Sequence, residues 1–196
     1  MSEGDTELLA AVARIVAAFD ALEVDYLVGG SVASSVFGEP RQTVDADLVA
    51  CLLGRHGEPL VKQLAGEFYA DLPGILTAIQ NQSSFNLIQL KTMTKVDVFV
   101  SWRSPFGQSQ FSRRQKKSVG QSPPLDLYFA SAEDTVLAKL DWYRKGGEIS
   151  DRQWRDLLGV LKVQVGKLDM DYLKRWADEL GVADLLQWAL DQAGLK

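Results

Sequence analysis

The sequence has 196 residues, of which 46% are hydrophobic and 24% charged, as is typical of a soluble globular protein with a core. Its formal net charge of −5 gives no general attraction to nucleic acids or anionic membranes, although it leaves a local basic groove open. The single cysteine, Cys51, and the single histidine, His56, exclude an intrachain disulfide, a cysteine zinc site and a multi-histidine metal site. We expect Cys51 to be a small buried thiol and His56 to lie on the surface, in the loop GRHGEP.

The N-terminal segment does not favour export or membrane insertion. It lacks the positive start and the cleavage site of a signal peptide. No apolar run in the sequence is long enough to span a bilayer. We therefore expect a reduced, cytoplasmic setting.

The N-terminal part of the sequence predicts alternating helices and strands. Apolar residues recur at helical spacing over about 6–22, which indicates an amphipathic helix. The next predicted elements are a strand in VDYLVGG, a short helix in SVASSVFG, a strand in TVDADLVA, helices in EPLVKQLAGEFY and LPGILTAIQ, and strands in SFNLIQLKT and TKVDVFVS. Beyond these we expect a helical turn, a basic loop over SRRQKK and a strand near LDLYFA.

After Ala130 the sequence shows helical patterns only. Two capping boxes, beginning at Ser131 and Ser150, open the first two of four predicted helices. Most aromatic residues of this part are expected in its core. The layout predicts an α+β fold, with a mixed sheet and flanking helices in residues 1–130 and a helical bundle in residues 131–196.

Two of the predicted strands carry acids on one face. Because side chains alternate along a strand, Asp45 and Asp47 share a face, whereas Val44 and its alternate neighbours face the core. If the two strands are neighbours, Asp97 stands beside this pair. Same-face carboxylates roughly 6.5–7 Å apart repel by about 2–3 kcal/mol at an effective dielectric near 20. A divalent cation removes this repulsion, and hard oxygen ligands without histidine or cysteine suit Mg²⁺.

A glycine turn precedes the acids. Gly29 and Gly30 let the backbone approach a ligand closely, and Ser31 begins a helix whose N-terminus favours an anion. A phosphate at this turn and metals at the aspartates are the parts needed for two-metal phosphoryl or nucleotidyl transfer. Taken alone, a D-x-D strand is usually a solvated sheet face, and a Gly-Gly turn is common. The ordered combination favours the functional interpretation.

These motifs resemble the polymerase-β-type nucleotidyltransferase superfamily. Within it, GGSVASSVFGEPRQTVDADL is similar to small bacterial nucleotidyltransferases related to the AbiEii-type toxins of toxin–antitoxin systems. The first motif of that group couples G-S to T-x-D-x-D, and the matching residues here are Gly30-Ser31 and Thr43-Val44-Asp45-Ala46-Asp47. The third acid of the family matches Asp97, and a lysine and a later aspartate match Lys139 and Asp156. The resemblance implies a catalytic domain in residues 1–130, with the helical domain packed on the nucleotide site.

The resemblance also implies the chemistry. It predicts two Mg²⁺ ions, replaceable by Mn²⁺, at Asp45, Asp47 and Asp97, and a nucleoside triphosphate donor. Asp97 is then either a metal ligand or the base that accepts the proton of the acceptor. The acceptor is open between RNA, protein and a small molecule, and an antitoxin protein is a candidate partner.

Further residues are assigned to the triphosphate. Arg41 and Lys139 are predicted to contact phosphates, together with Gly29, Gly30, Ser31 and Thr43. The alternative for Arg41 is a loop charge and for Lys139 an exposed helix lysine. The run SRRQKK is expected to be a solvated loop, with the binding of a polyanionic acceptor such as RNA as its alternative. Two other functions remain open: a phosphotransferase that uses the same site, and a non-catalytic nucleotide-binding module.

Overall fold

The computed structural model describes residues 3–43, 45–100, 102–120 and 124–195. Its elements are, in chain order, α1 Glu3–Ala21, β1 Tyr26–Val28, α2 Gly30–Phe37, β2 Asp45–Ala50, α3 Gly54–Leu64, β3 Phe68–Tyr69, α4 Leu72–Asn81, β4 Ser84–Gln89, β5 Lys95–Phe99, α5 Pro105–Arg113, β6 Gln115–Val119, β7 Leu125–Phe129, α6 Ala132–Lys145, α7 Asp151–Val163, α8 Met170–Glu179 and α9 Ala183–Ala193. Val44 and Ser101, both predicted to lie in strands, are outside the described residues.

The chain divides into two compact units. The first contains Met1–Gly29 and Gln42–Phe129, and the second contains Gly30–Arg41 and Ala130–Lys196. All of the strands above belong to the first unit, and α2 and α6 to α9 form the second. The predicted α+β class with a C-terminal helical part is confirmed. The assignment of a catalytic domain and a helical domain on either side of residue 130 stays a prediction.

The strands of the first unit form one mixed sheet in the order β3-β4-β5-β2-β1-β7-β6. Strand β2 pairs in parallel with β5 and antiparallel with β1, and β1 pairs in parallel with β7. The other neighbours are antiparallel. Because β2 and β5 are distant in the chain, only this pairing brings residues 45–50 alongside residues 95–99.

The core of the first unit follows the predicted alternation. Leu48 of β2 and Val96 and Val98 of β5 are fully buried. On α1, apolar residues at helical spacing are also buried, among them Ile15 and Phe19. The opposite face of β2 and β5 carries the alternate, more exposed positions, which include the three predicted site acids.

In the second unit, α6 and α7 begin where the capping boxes predicted. Ser131 Oγ accepts a hydrogen bond from the backbone N–H of Asp134 at 3.1 Å, and Ser150 Oγ accepts one from that of Gln153 at 3.4 Å. The buried Asp134 carboxylate also accepts a hydrogen bond from the Tyr172 hydroxyl at 2.6 Å. This bond connects α8 to the start of α6.

The aromatic residues of the second unit divide between core and surface. Tyr143, Trp154 and Trp176 are buried, as expected, whereas Trp142 and Trp188 are 51% and 45% exposed. The Trp154 and Trp188 rings lie 4.1 Å apart between centroids. Trp188 therefore covers a buried ring with one side and faces solvent with the other.

Two expectations about secondary structure are wrong. The basic run does not form a loop: its first residues end α5, and Gln115–Val119 form strand β6, paired antiparallel with β7. The helix predicted through Tyr69 ends at Leu64, and Phe68–Tyr69 form β3 after Gly66, whose φ is +80°. Both segments form strands because they pair with a neighbouring strand, and the local sequence pattern does not indicate that partner.

The expectation that His56 lies on the surface is also wrong. His56 is 8% exposed, and its Nδ1 accepts a hydrogen bond from the backbone N–H of Leu53 at 3.1 Å, at the start of α3. Burial, assisted by the charge of Arg55, lowers the pKa of His56 below its usual 6.5. A neutral imidazole thus caps this helix.

None of the helices in the described ranges is long and apolar enough to cross a membrane.

Candidate functional site

Strands β2 and β5 bring the predicted acids of the first unit together. Their parallel register pairs Asp47 with Asp97 and Asp45 with Lys95. Directly paired residues of neighbouring strands point to the same side of a sheet. These four residues form one group, here called the acidic face, and the expected adjacency of Asp97 to Asp45 and Asp47 is confirmed.

The acidic face contains a cation, Lys95, to which the sequence analysis assigned no role. Lys95 Nζ lies 2.8 Å from Asp97 Oδ2. The pKa of Lys95 is raised above its usual 10.5 chiefly by this hydrogen bond, with further contributions from the charges of Asp97, Asp45 and Asp47 and an opposing effect of burial. The K-x-D spacing in KVDVF was the available signal, because residues two apart on a strand share a face.

Two other predicted residues of the first unit lie beside these strands. Thr43 is buried, and its Oγ1 donates a hydrogen bond to the Asp45 carbonyl at 3.0 Å and lies 3.3 Å from Asp45 Oδ1. The Gly29 N–H donates to the Asp47 carbonyl at 2.9 Å. A Cβ added at Gly29 would meet no atom within 4 Å, so space for a ligand is open there. Thr43 and Gly29 thus hold the backbone that carries Asp45 and Asp47.

In the second unit, α2 begins at Gly30, one residue earlier than predicted. Gly30 has a φ of +54°, in the left-handed region that favours glycine. The first turn contains no acid and is followed by Ser34 and Ser35, whose hydroxyls donate to the carbonyls of Gly30 and Ser31 at 2.8 and 3.0 Å. The positive end of the helix dipole is therefore not neutralised by a side chain of this turn.

The predicted residues Arg41, Lys139 and Asp156 meet in the second unit. Arg41 donates from Nε and Nη2 to the two carboxylate oxygens of Asp156, each at 2.7 Å, and Lys139 Nζ donates to Asp156 Oδ2 at 3.0 Å. The side chains of Asp156 and Lys139 are 7% and 9% exposed, and that of Arg41 is 29% exposed. We call these three residues the ion triad.

The charges within the ion triad do not cancel. Two cations surround one carboxylate, so the group carries a net positive charge. Burial acts to raise the pKa of Asp156, but the hydrogen bonds and charges of Arg41 and Lys139 outweigh it and hold the pKa below the usual 3.8. The alternative of an exposed Lys139 is wrong, because the fold buries this residue. Its predicted contact with a triphosphate stays a prediction, as does that of Arg41.

The acidic face suits a hard cation in its chemistry. Its three carboxylates supply only oxygen donors, which Mg²⁺ and Mn²⁺ prefer. Over the residues that the structure describes, however, no three His, Cys, Asp or Glu side chains are placed to hold a metal ion. Asp97 is bound to Lys95 in this arrangement. The residues therefore fit the predicted metal by type, and Lys95 engages one carboxylate oxygen of Asp97, Oδ2.

The fold is shared with known proteins, although no protein-family model and no curated protein matches the sequence. An antigenic nucleotidyltransferase-like protein from Paracoccidioides brasiliensis is similar with a TM-score of 0.54 and 20% identity, over 94% of this chain and 93% of that one. The antibiotic-resistance factor ANT(2'')-Ia is similar with a TM-score of 0.54 and 14% identity, over 96% of both chains. The same factor in complex with adenylyl-2''-tobramycin gives a TM-score of 0.53 and 13% identity, over 90% of this chain and 97% of that one.

At these identities the likeness concerns the fold. The predicted nucleotidyltransferase-like fold, a mixed sheet with flanking helices and a helical C-terminal part, is confirmed. The closer relation to AbiEii-type enzymes stays a prediction.

Proposed function

We propose that this chain is a metal-dependent nucleotidyltransferase, which transfers a nucleotide from a nucleoside triphosphate to an acceptor. One observation carries the proposal: the register of β2 and β5 places Asp97 opposite Asp47, with Asp45 on the same face. The shared nucleotidyltransferase-like fold supports it.

In this proposal Asp45, Asp47 and Asp97 hold two divalent cations, the number that the resemblance implies. Bound there, magnesium would neutralise charge on the triphosphate and activate the attacking oxygen. Asp97 either completes this ligand set or accepts the proton that the acceptor hydroxyl loses. Thr43 keeps Asp45 in place through its two contacts.

The second unit would supply the triphosphate ligands. Gly30 and Ser31 offer the start of α2, where backbone N–H groups and the helix dipole attract anions. Arg41 and Lys139 are proposed as further phosphate ligands, because each carries a positive charge and both are held in place by Asp156. A polyphosphate is the ligand class that a positive helix terminus and a net positive ion triad both favour.

The proposal is tested by following label from each nucleoside triphosphate into an acceptor panel. The panel contains total RNA, protein extract and small hydroxylated metabolites, with Mg²⁺ or Mn²⁺. Label on the base or the α-phosphate should be transferred by the wild type and lost in Asp45→Asn/Asp47→Asn. Asp126→Asn, which removes an exposed acid from β7 of the same sheet, should retain the activity. Unchanged transfer in the double variant would refute the proposal.

Lys139 needs a test that separates binding from stability. Lys139→Ala should weaken triphosphate binding about tenfold or more, which is about 1.4 kcal/mol. Because Lys139 also pairs with the buried Asp156, the same change should lower the melting temperature. Lys145→Ala is the control on the same helix, since Lys145 is exposed and pairs with Asp141. Calorimetry well below the melting temperature should show weakened binding in the first variant only.

The acceptor is proposed to be something other than a long polyanion. Within the only dense basic segment, Arg114 pairs with Asp25 and Lys116 with Asp126. These pairs reduce the positive potential that RNA binding needs. Label that appears mainly in RNA would contradict this choice.

A toxin role, with an antitoxin partner, would be tested by growth arrest on expression and rescue by a neighbouring gene.

The Lys95–Asp97 ion pair favours a second candidate, a non-catalytic nucleotide-binding module, because one of the three acids is already neutralised. Triphosphate binding without any transfer would support it. A phosphotransferase would instead transfer label only from the γ-phosphate.

A further inference from the structure

Lys95 contacts an acid that the proposed function assigns to a metal cation. Its Nζ is 2.8 Å from Asp97 Oδ2, and the strand register places Lys95 directly opposite Asp45. The lysine therefore belongs to the same face as all three acids and contacts the one that must join the other two. Lys95 is the only lysine or arginine in β2 and β5.

Without a bound metal, the carboxylates of the acidic face need another counter-ion. Neighbouring strands are about 4.8 Å apart, closer than same-face positions along one strand. Repulsion between Asp47 and Asp97 therefore exceeds that between Asp45 and Asp47, for a given dielectric environment. In the metal-free protein Lys95 supplies a positive charge at the third carboxylate.

The Lys95 side chain is also able to leave. It is 46% exposed, whereas the Asp97 side chain is 17% exposed. Its neighbours along the strand, Val96 and Val98, are fully buried and hold the backbone. A lysine ammonium on a flexible stem exchanges an ion pair for water at little energetic expense. A largely buried Asp97 beside a more exposed Lys95 is the arrangement that a displaceable counter-ion requires.

We propose that Lys95 is the resident counter-ion of the metal-free acidic face and competes with a divalent cation for Asp97. The competition rests on the proposed function, since it requires a metal at Asp45, Asp47 and Asp97. The stabilising role in the metal-free protein does not. Lys95 would then set the metal concentration at which the face becomes occupied.

The metal-free arm measures thermal unfolding in chelator. Lys95→Met should lower the melting temperature by about 2–4 °C, which corresponds to roughly 1 kcal/mol for a chain of this size. Adding Asp97→Asn to Lys95→Met should restore most of the loss, because it removes the uncompensated carboxylate. Lys116→Met is the matched control: Lys116 lies on the edge strand β6, three strands from β2, is 57% exposed and pairs with Asp126 of β7. Lys95→Gln replaces Lys95→Met if the methionine variant aggregates.

The metal arm measures Mn²⁺ affinity by calorimetry and by the electron paramagnetic resonance signal of free Mn²⁺. Lys95→Met should bind Mn²⁺ at least fivefold more tightly than the wild type, since a competing cation has been removed. Lys95→Arg, which keeps the charge, should not gain affinity, and neither should Lys116→Met. Asp45→Asn/Asp47→Asn in the Lys95→Met background should abolish the gain.

The outcomes separate this inference from the proposed function. Mn²⁺ binding that depends on Asp45 and Asp47 but is unchanged in Lys95→Met would overturn the competition and leave the metal site standing. Absence of Mn²⁺ binding in both the wild type and Lys95→Met would overturn the competition and also the proposed metal dependence. Melting temperatures equal to the wild type for Lys95→Met and Lys95→Gln would overturn the counter-ion role whatever the metal does.

Discussion

The ion triad of the second unit gives a stability prediction whose size follows from its contacts. Asp156 accepts three hydrogen bonds, from Arg41 Nε and Nη2 and from Lys139 Nζ. Asp156→Asn removes the negative charge and replaces one oxygen by an NH₂ group. In either orientation of the amide, at least one of these donors then faces another donor.

The magnitude depends on burial. Removing one partner of a buried ion pair costs about 3–5 kcal/mol. The partial exposure of Arg41, at 29%, reduces this, so we expect about 2–3 kcal/mol for Asp156→Asn. With about 2–4 °C per kcal/mol for a chain of this size, the melting temperature should fall by roughly 4–12 °C.

The assay is urea unfolding from pH 7 down to acid, followed by circular dichroism. The pKa of Asp156 is lower in the folded protein than its usual 3.8. Its contribution to the free energy of unfolding is therefore complete above pH 3.8 and is lost as the pH falls through the folded-state pKa. The difference between the wild type and Asp156→Asn should be constant near neutral pH and shrink in acid.

The control for this prediction is an exposed pair of the same chemistry. Asp184→Asn removes the partner of Arg144, and these side chains are 70% and 38% exposed. It should change the free energy of unfolding far less than Asp156→Asn does, because both side chains are well exposed to solvent. Equal effects of Asp156→Asn and Asp184→Asn at pH 7 would refute the reasoning, because burial would then not determine the strength of the pair.

Three further predictions concern single residues. Gly38→Ala should lower the free energy of unfolding by about 1–3 kcal/mol, because its Cβ would lie 2.7 Å from the Val160 nitrogen. Gly54→Ala is the control and should have little effect in the same urea titration, because its Cβ would meet no atom within 4 Å. Equal unfolding midpoints for the two variants would contradict this prediction. An NMR titration of the only histidine, His56, should give a pKa below 6.5, and a pKa of 6.5 or above would contradict the burial argument. Because the unfolded chain then binds the proton more readily, the wild type should lose stability as the pH falls below 6.5, whereas His56→Gln should not. Burial raises the pKa of Cys51 to about 11, so the thiol should react with a disulfide reagent at pH 8 far more slowly in the folded protein than in urea, and equal rates would show that it is not protected.

The sequence by itself determined the features that repeat or recur locally. Alternation in DADLVA and KVDVF separated the core face from the acidic positions, because a strand has a period of two. The boxes at Ser131 and Ser150 located two helix starts, because a capping side chain and the backbone N–H that donates to it are only three residues apart. The resemblance then predicted the nucleotidyltransferase-like fold.

Local patterns misled where a partner element decided the outcome. The charged residues of β6 have no recognisable period, yet they form a strand because β7 supplies the hydrogen bonds. His56 is in a polar segment, yet it is buried because its ring nitrogen caps α3. Neither partner can be identified from the residues adjacent in the sequence.

Tertiary structure alone decided which charges meet. Arg41 and Asp156 are 115 residues apart in the chain, and no periodicity connects them. The pairing of β2 with β5 likewise turned three separate acids into one face and set Lys95 among them. An ion pair depends on the distance between two side chains in space, and that distance follows from strand register and helix packing. Sequence therefore predicted the acids of the candidate site and the cations Arg41 and Lys139, whereas the fold paired those two cations with Asp156 and set Lys95 beside Asp97.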